Sequence, residues 1–211
     1  VMTSGEKTVP CPCPSKKRSL FVLVAAAVGA ATAISVMRSR SARKAVLPDL
    51  LTVDHVVPER YVGTWYEIAR LPNWFQTKCS RNNKAEYTLT VDGMQVRNSC
   101  TRSDGSTATI TGVAKVVPGS GNAKWRVSFL RPFYGAYWIL ALDSDYEWAL
   151  VGTPDRQCLW ILARASHLPQ EVLRQITERA QELGFATETL AMTEQAVQAD
   201  VLYPRSYGKK A

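Results

Sequence analysis

The chain has 211 residues, with 26 Lys and Arg against 18 Asp and Glu, for a formal net charge of +8. The excess is uneven: residues 1–44 hold Lys7, Lys16, Lys17, Arg18, Arg38, Arg40, Arg43 and Lys44 against Glu6 alone, and Arg205, Lys209 and Lys210 sit at the other end. A nucleic-acid reader carries its charge on the folded domain, interleaved with aromatics, so this distribution argues against one and fits cations lying beside anionic lipid.

Residues 1–19 are rich in Pro, Ser and Lys and read as a disordered basic segment. Residues 20–37 are an uncharged run behind Lys16-Lys17-Arg18. That is the pattern of a signal peptide, with Ala31-Thr32-Ala33 as a small-residue cleavage site, or of a membrane anchor just short of the usual ~20 residues. Residues 38–55 read as a linker. From Gly63 onward, β-rich runs recur at 63–70, 83–91, 95–101, 107–117, 123–130, 136–142, 147–152 and 158–164. Turn signals such as Asp92-Gly93 and Ser103-Asp104-Gly105 separate them. Eight short strands joined by hairpins predict an all-β, up-and-down antiparallel barrel, which leaves no open sheet edge. The period then changes. Val172, Ile176, Ala180 and Leu183 share one face of a helix over 168–183, with Pro169 in its first turn and Gly184 as its stop. This amphipathic helix is expected to pack on the outer wall. A short strand over 187–191 and a flexible tail over 194–211 complete the chain, so residues 56–193 form the one folded domain.

Of the five cysteines, Cys11 and Cys13 are flanked by prolines with no His nearby, a poor zinc knuckle. Cys79 precedes the second strand and Cys100 ends the third, at one end of a single hairpin, and we pair them; three reduced thiols are the alternative. Cys158 is expected to be a buried thiol.

The phrase Gly63-Thr64-Trp65-Tyr66-Glu67-Ile68-Ala69-Arg70 resembles the G-x-W opening of lipocalins, nearest to the branch of bacterial outer-membrane lipocalins and apolipoprotein D. Leu142-Asp143-Ser144-Asp145-Tyr146 resembles that family's late acidic-Tyr turn, and Leu159-Trp160-Ile161-Leu162-Ala163-Arg164 its final strand with a closing Arg. The resemblance implies structural roles for Gly63, Trp65 and Arg164, the Arg packing across the Trp at the barrel floor. Bacterial relatives often carry a lipid-modified Cys after the export segment, which is absent here between Cys13 and Cys79. A homodimer, known among those relatives, is allowed.

Strand alternation assigns the lumen. It places Tyr87 and Leu89 inward from the second strand, Val96 and Asn98 from the third, and Ile110, Gly112 and Ala114 from the fourth. It adds Val127 and Phe129 from the fifth, with Ser128 outward, then Tyr137, Ile139 and Ala141 from the sixth and Trp160 and Leu162 from the last. The ligand-lining set is therefore Tyr87, Leu89, Val96, Asn98, Ile110, Ala114, Val127, Phe129, Tyr137, Ile139, Trp160 and Leu162. This wall is apolar and aromatic, with Asn98 and the tyrosine hydroxyls as isolated polar points, the composition of a pocket for a small hydrophobic ligand. The small residues Ala85, Gly112, Ala114 and Ala141 are expected to leave room for it. Trp74-Phe75, after the first strand, belongs to the rim, either as packing or as a contact for ligand or membrane.

Catalytic groupings are missing. His55 and His167 lie outside any arrangement that activates a nucleophile, no His or acid is assigned to the lumen, and no phosphate loop, metal or cofactor site is indicated. The expectation is a non-enzymatic carrier or store for a fatty acid, lysophospholipid or similar amphiphile, secreted, periplasmic or membrane-associated through its N-terminal segment. The alternatives are a lipocalin-fold enzyme of lipid or pigment metabolism and an interaction scaffold with a filled core.

Overall fold

The computed structural model describes residues 48–91 and 93–196. The basic segment, the signal or anchor segment and residues 197–211 of the tail lie outside the described residues. Among the described residues, no helix is long and apolar enough to cross a membrane.

One helical turn, α1 (Pro58–Tyr61), leads into β1 (Gly63–Arg70). Seven further strands follow: β2 (Arg81–Thr90), β3 (Gly93–Thr101), β4 (Thr107–Val116), β5 (Lys124–Leu130), β6 (Phe133–Leu142), β7 (Trp148–Gly152) and β8 (Leu159–Ala163). Each pairs antiparallel with the next, and β1 pairs with both β2 and β8, so the sheet closes on itself. The expected eight-stranded barrel is observed, with helix α2 (Gln170–Glu182) outside it.

The barrel has two apolar cores, as period-two strands packed on both faces require. The inner one contains Trp65, Ala85, Tyr87, Met94, Val96, Ala114, Trp125, Ile139 and Leu162. The outer one lies under α2, where Ile68, Leu150, Leu159 and Ile161 meet Ile176, Ala180 and Phe185. The helix faces inward along the predicted stripe, with Ile176 and Ala180 buried. Its solvent side carries Arg174 between Glu171 and Glu178.

Beta-bulges in β1 and β6 reset which side chains face inward. In β1 the register shifts between Glu67 and Ala69, so Ile68 and Ala69 both join the outer core while Arg70 pairs opposite Trp160. In β6 the shift between Ile139 and Ala141 sends Ala141 to the outer core and Leu142 to the inner one, which corrects the inward assignment of Ala141. In β5 the register shifts between Val127 and Leu130, and Ser128 is buried at 3 %, with its hydroxyl unpartnered. Ser128 pairs with Val113 while its neighbour Val127 pairs with the inward Ala114, so Ser128 faces outward as expected, yet it is buried.

Both chain ends of the described region are packed rather than loose. Leu50 is buried in the outer core, Val53 N–H donates to Ile139 O, and Val56 N–H donates to Gly121 O, so the expected linker ends as a strap on the barrel. The strand expected over 187–191 is a 3-10 turn, Thr187–Thr189, followed by a two-residue strand, β9 (Ala191–Met192), paired with β1. The next residues fill the seam between β1 and β2. Thr193 N–H donates to Ile68 O, and the Gln195 amide donates to the carbonyls of Glu67 and Asn83. Residues 194–196 are thus held in place, unlike the flexible tail expected from 194 onward.

Candidate functional site

The barrel has a closed end and a mouth. At the closed end α1 crosses the opening, and Gly63 starts β1 at φ +97°, a region that favours glycine. A β-carbon there would also lie 3.2 Å from the Arg164 guanidinium. Arg164 spans the floor. It stands 4.0 Å over the Trp65 ring and donates to the carbonyls of Arg60, Thr64 and Tyr146. Burial draws its pKa down, yet a guanidinium stays charged at any ordinary pH.

Above the floor, the lower half of the lumen is filled with aromatic rings. Tyr61 stacks on Trp65 at 4.7 Å, Trp125 stacks on Tyr137 at 5.5 Å, and Tyr61 and Tyr87 meet Trp125 edge-on. The Tyr137 hydroxyl bonds those of Tyr61 and Tyr87, each at 2.9 Å. These hydroxyls are therefore committed to one another and are not the isolated polar points expected from the sequence. Burial holds all three phenols protonated well above the ordinary tyrosine range.

The upper half is open to solvent. Ile110 lies on the inward row of β4 and is 50 % exposed, and Phe129 is 37 % exposed, whereas Val96, Ile139 and Leu162 deeper in are buried. Val127, Tyr137, Trp160 and Asn98 are half-buried around this space. Asn98 Oδ1 is buried without a hydrogen-bond partner. Gly112 does not leave the room expected of it: a β-carbon there would be 2.7 Å from the Phe129 ring, which occupies that space.

Leu89 and Ala114 lie apart from the rest of the expected lining. With Pro58, Met94, Val116 and Trp125 they surround a pocket of about 230 Å³ at the closed end, beyond the aromatic layer. That volume falls below the ~300–1,000 Å³ usual for a drug-sized ligand.

One lumen-side cluster is absent from the sequence reading. Glu67, 4 % exposed, accepts from Arg70, Asn83 and Thr193 through Oε1 and from Gln76 through Oε2. Gln76 Oε1 in turn accepts from the Trp160 indole at 3.0 Å, and Phe75 leans on Trp160 with centroids 6.3 Å apart. An acid does stand on the lumen row, contrary to expectation. Both its oxygens are engaged, so its role is to fix the rim turn and Trp160. The signal was available: a Glu two residues beyond an inward Trp in a strand falls on the inward row. Cys79 and Cys100 form the expected disulfide, Cα atoms 5.5 Å apart, and tie the end of that turn to β3. Cys158 is buried and outside the disulfide.

The closed eight-stranded barrel, with an Arg–Trp floor and a helix outside, defines a calyx-type fold. A family model described as a lipocalin-like domain matches residues 56–195, and the chain belongs to that family. It is 42 % identical over 147 residues to temperature-induced lipocalin-1 of Arabidopsis thaliana, covering 65 % of this chain and 78 % of that one. It is 37 % identical over 145 residues to the outer membrane lipoprotein Blc of Escherichia coli, covering 68 % and 81 %. To apolipoprotein D of Macaca fascicularis it is 37 % identical over 130 residues, covering 55 % and 65 %. Among solved structures, insecticyanin from the tobacco hornworm Manduca sexta superposes with a TM-score of 0.58 at 21 % identity, over 71 % of this chain and 86 % of that one, a likeness of fold.

Proposed function

We propose that the protein carries or stores a single-chain amphiphile, a fatty acid, lysophospholipid or similar lipid, in the upper half of the barrel. The observation that supports this best is the exposure of inward-row apolar side chains at the mouth, Ile110 and Phe129, over a sealed aromatic layer. Such a space accepts a chain from one side only. Val96, Val127, Tyr137, Ile139, Trp160 and Leu162 form the wall in this reading, and the unpartnered Asn98 Oδ1 is the polar point that orients the ligand.

The mechanism is desolvation. Each buried methylene contributes about 0.8 kcal/mol, so a 16-carbon chain gains up to roughly 10 kcal/mol before ordering costs are subtracted. Two relatives with the words lipoprotein and apolipoprotein in their names support a lipid ligand. Because the rim turn is held by Glu67, Gln76 and the disulfide, the site is largely preformed, which limits those costs. Native mass spectrometry of the purified protein tests the reading. A mass increment matching one lipid, lost on delipidation and restored on adding it back, supports it; a bare mass under every lipid challenge refutes it.

A further inference from the structure

Four large apolar side chains stand exposed at the mouth end: Trp74 (52 % exposed), Phe75 (43 %), Leu130 (71 %) and Phe133 (55 %). They form two lips, the 3-10 turn Trp74–Gln76 after β1 and the turn between β5 and β6. The first lip is fixed, not floppy. Gln76 N–H donates to Asn73 Oδ1, the Gln76 side chain is held by Glu67 and Trp160, and Cys79 is covalently tied to Cys100. Its aromatics are therefore displayed to solvent by construction. An exposed, ordered apolar patch of this kind marks an interaction surface.

Charge and chain path indicate what covers it. Exposed Lys78 follows the first lip and exposed Arg131 lies within the second. The closed end has its own exposed apolar residues, Leu89 and Val91, but Asp54, Glu59, Asp143 and Asp145 surround that end. Exposed Arg60 and Lys115 at that end, and Asp104 and Asp155 in the mouth turns, offset part of this contrast, and the balance still favours an anionic surface at the mouth. The N-terminal strap leaves the barrel at the mouth end as well. Pro48 O accepts from Arg156, in the turn between β7 and β8. Residues 38–47 span at most ~36 Å, so the uncharged run 20–37 ends within that reach of Pro48.

We propose that the mouth end is a docking face for an anionic lipid bilayer. Trp74, Phe75, Leu130 and Phe133 enter the headgroup layer, where amphipathic aromatics settle, and Lys78 and Arg131 meet lipid phosphates. The barrel then stands mouth-down, and a lipid passes between bilayer and lumen without crossing water. The docking holds whether or not the lumen is filled, and the lipid passage rests on the proposed function.

All six tryptophans, Trp65, Trp74, Trp125, Trp138, Trp148 and Trp160, lie in the barrel, so the N-terminal run contributes none of their emission. The full-length protein is mixed with phosphatidylcholine vesicles containing about one-third phosphatidylglycerol and lipid brominated along its acyl chains. The bromolipid is expected to quench wild-type emission, and Trp74→Tyr, with unchanged circular dichroism, is expected to remove most of that quenching. Val91→Trp, at the far end, is expected to add emission that the lipid leaves unquenched. Lys78→Glu with Arg131→Glu is expected to weaken vesicle binding by at least about fivefold per charge. The proposal is overturned if no emission is quenched, as when a second copy or the chain's own residues 20–37 cover the lips. It is equally overturned if Trp74→Tyr leaves the quenching intact, or if the tryptophan placed at position 91 is quenched.

Discussion

Arg164 stands with its guanidinium carbon 4.0 Å above the Trp65 ring, and the same side chain donates to three backbone carbonyls from three elements. One residue therefore links α1, β1 and the turn before β7 at the barrel floor. Trp65 is fully buried and also donates from its indole N–H to Tyr61 O at 2.8 Å. Trp65→Ala is expected to destabilise by about 3–5 kcal/mol, the range for deleting a buried aromatic. Urea denaturation measures this, and a loss under about 1 kcal/mol would show that the floor is not a keystone.

Glu67 is the second point of vulnerability. It is paired with Arg70 at 2.7 Å, and Arg70 Nε is already buried without a partner. Removing the carboxylate leaves a largely buried cation uncompensated, which costs about 3–5 kcal/mol in comparable pairs. Glu67→Ala is expected to fall in that range. It should also release Gln76 and with it the Trp160 indole, seen as a change in near-ultraviolet circular dichroism. A variant with wild-type stability and spectrum would contradict the network.

The disulfide closes a loop of 21 residues. By loop-closure entropy such a cross-link stabilises by roughly 3 kcal/mol. Reduction, or Cys79→Ser with Cys100→Ser, is expected to lower the urea midpoint accordingly without disrupting the barrel, since the β2–β3 ladder remains. Unchanged stability after verified reduction would refute the estimate.

Alkaline pH probes the aromatic layer. Tyr61, Tyr87 and Tyr137 have phenol pKa values raised by burial above the unfolded value near 10. The stability they contribute is complete below that unfolded value and is lost as pH rises toward the folded ones. Absorbance titration is expected to show exposed tyrosines ionising first, with the buried three ionising only as far-ultraviolet circular dichroism reports unfolding. Full ionisation of every tyrosine in a still-folded barrel would contradict the sealed layer.

Much of this was legible because the sequence speaks in local periods. Val172, Ile176, Ala180 and Leu183 needed only the helical repeat, and each strand run needed only alternation and turn residues. What misled the reading was what breaks a period. The bulge after Ile139 turns Ala141 outward. Nothing local in those residues announces an extra residue in one strand. The tyrosine hydroxyl triad and the Glu67 network join residues far apart in sequence, so no window along the chain contains them. Gly112 looked like empty space because its filler, Phe129, comes from another strand.

The burial of Ser128 changes the mutational control for the pocket. Phe129→Asp places a carboxylate at the apolar mouth and is expected to weaken lipid binding strongly. Thr111→Asp, on the exposed outward row of β4, is the matching control and is expected to leave binding unchanged. Ser128→Asp, by contrast, is expected to destabilise the fold, because it puts a charge where an unpartnered hydroxyl is already buried. Equal loss of binding in Phe129→Asp and Thr111→Asp would show that the inward row of this wall has been misassigned.

The most direct test of lipid carriage is an equilibrium titration of the delipidated wild-type protein with a long-chain fatty acid and with a lysophospholipid, followed by tryptophan emission. With Trp160 half-buried on the lumen wall, emission should change saturably and reach its plateau at one ligand per barrel for at least one of the two. A flat response to both, in protein whose circular dichroism reports an intact barrel, would contradict the account and leave a filled scaffold in its place.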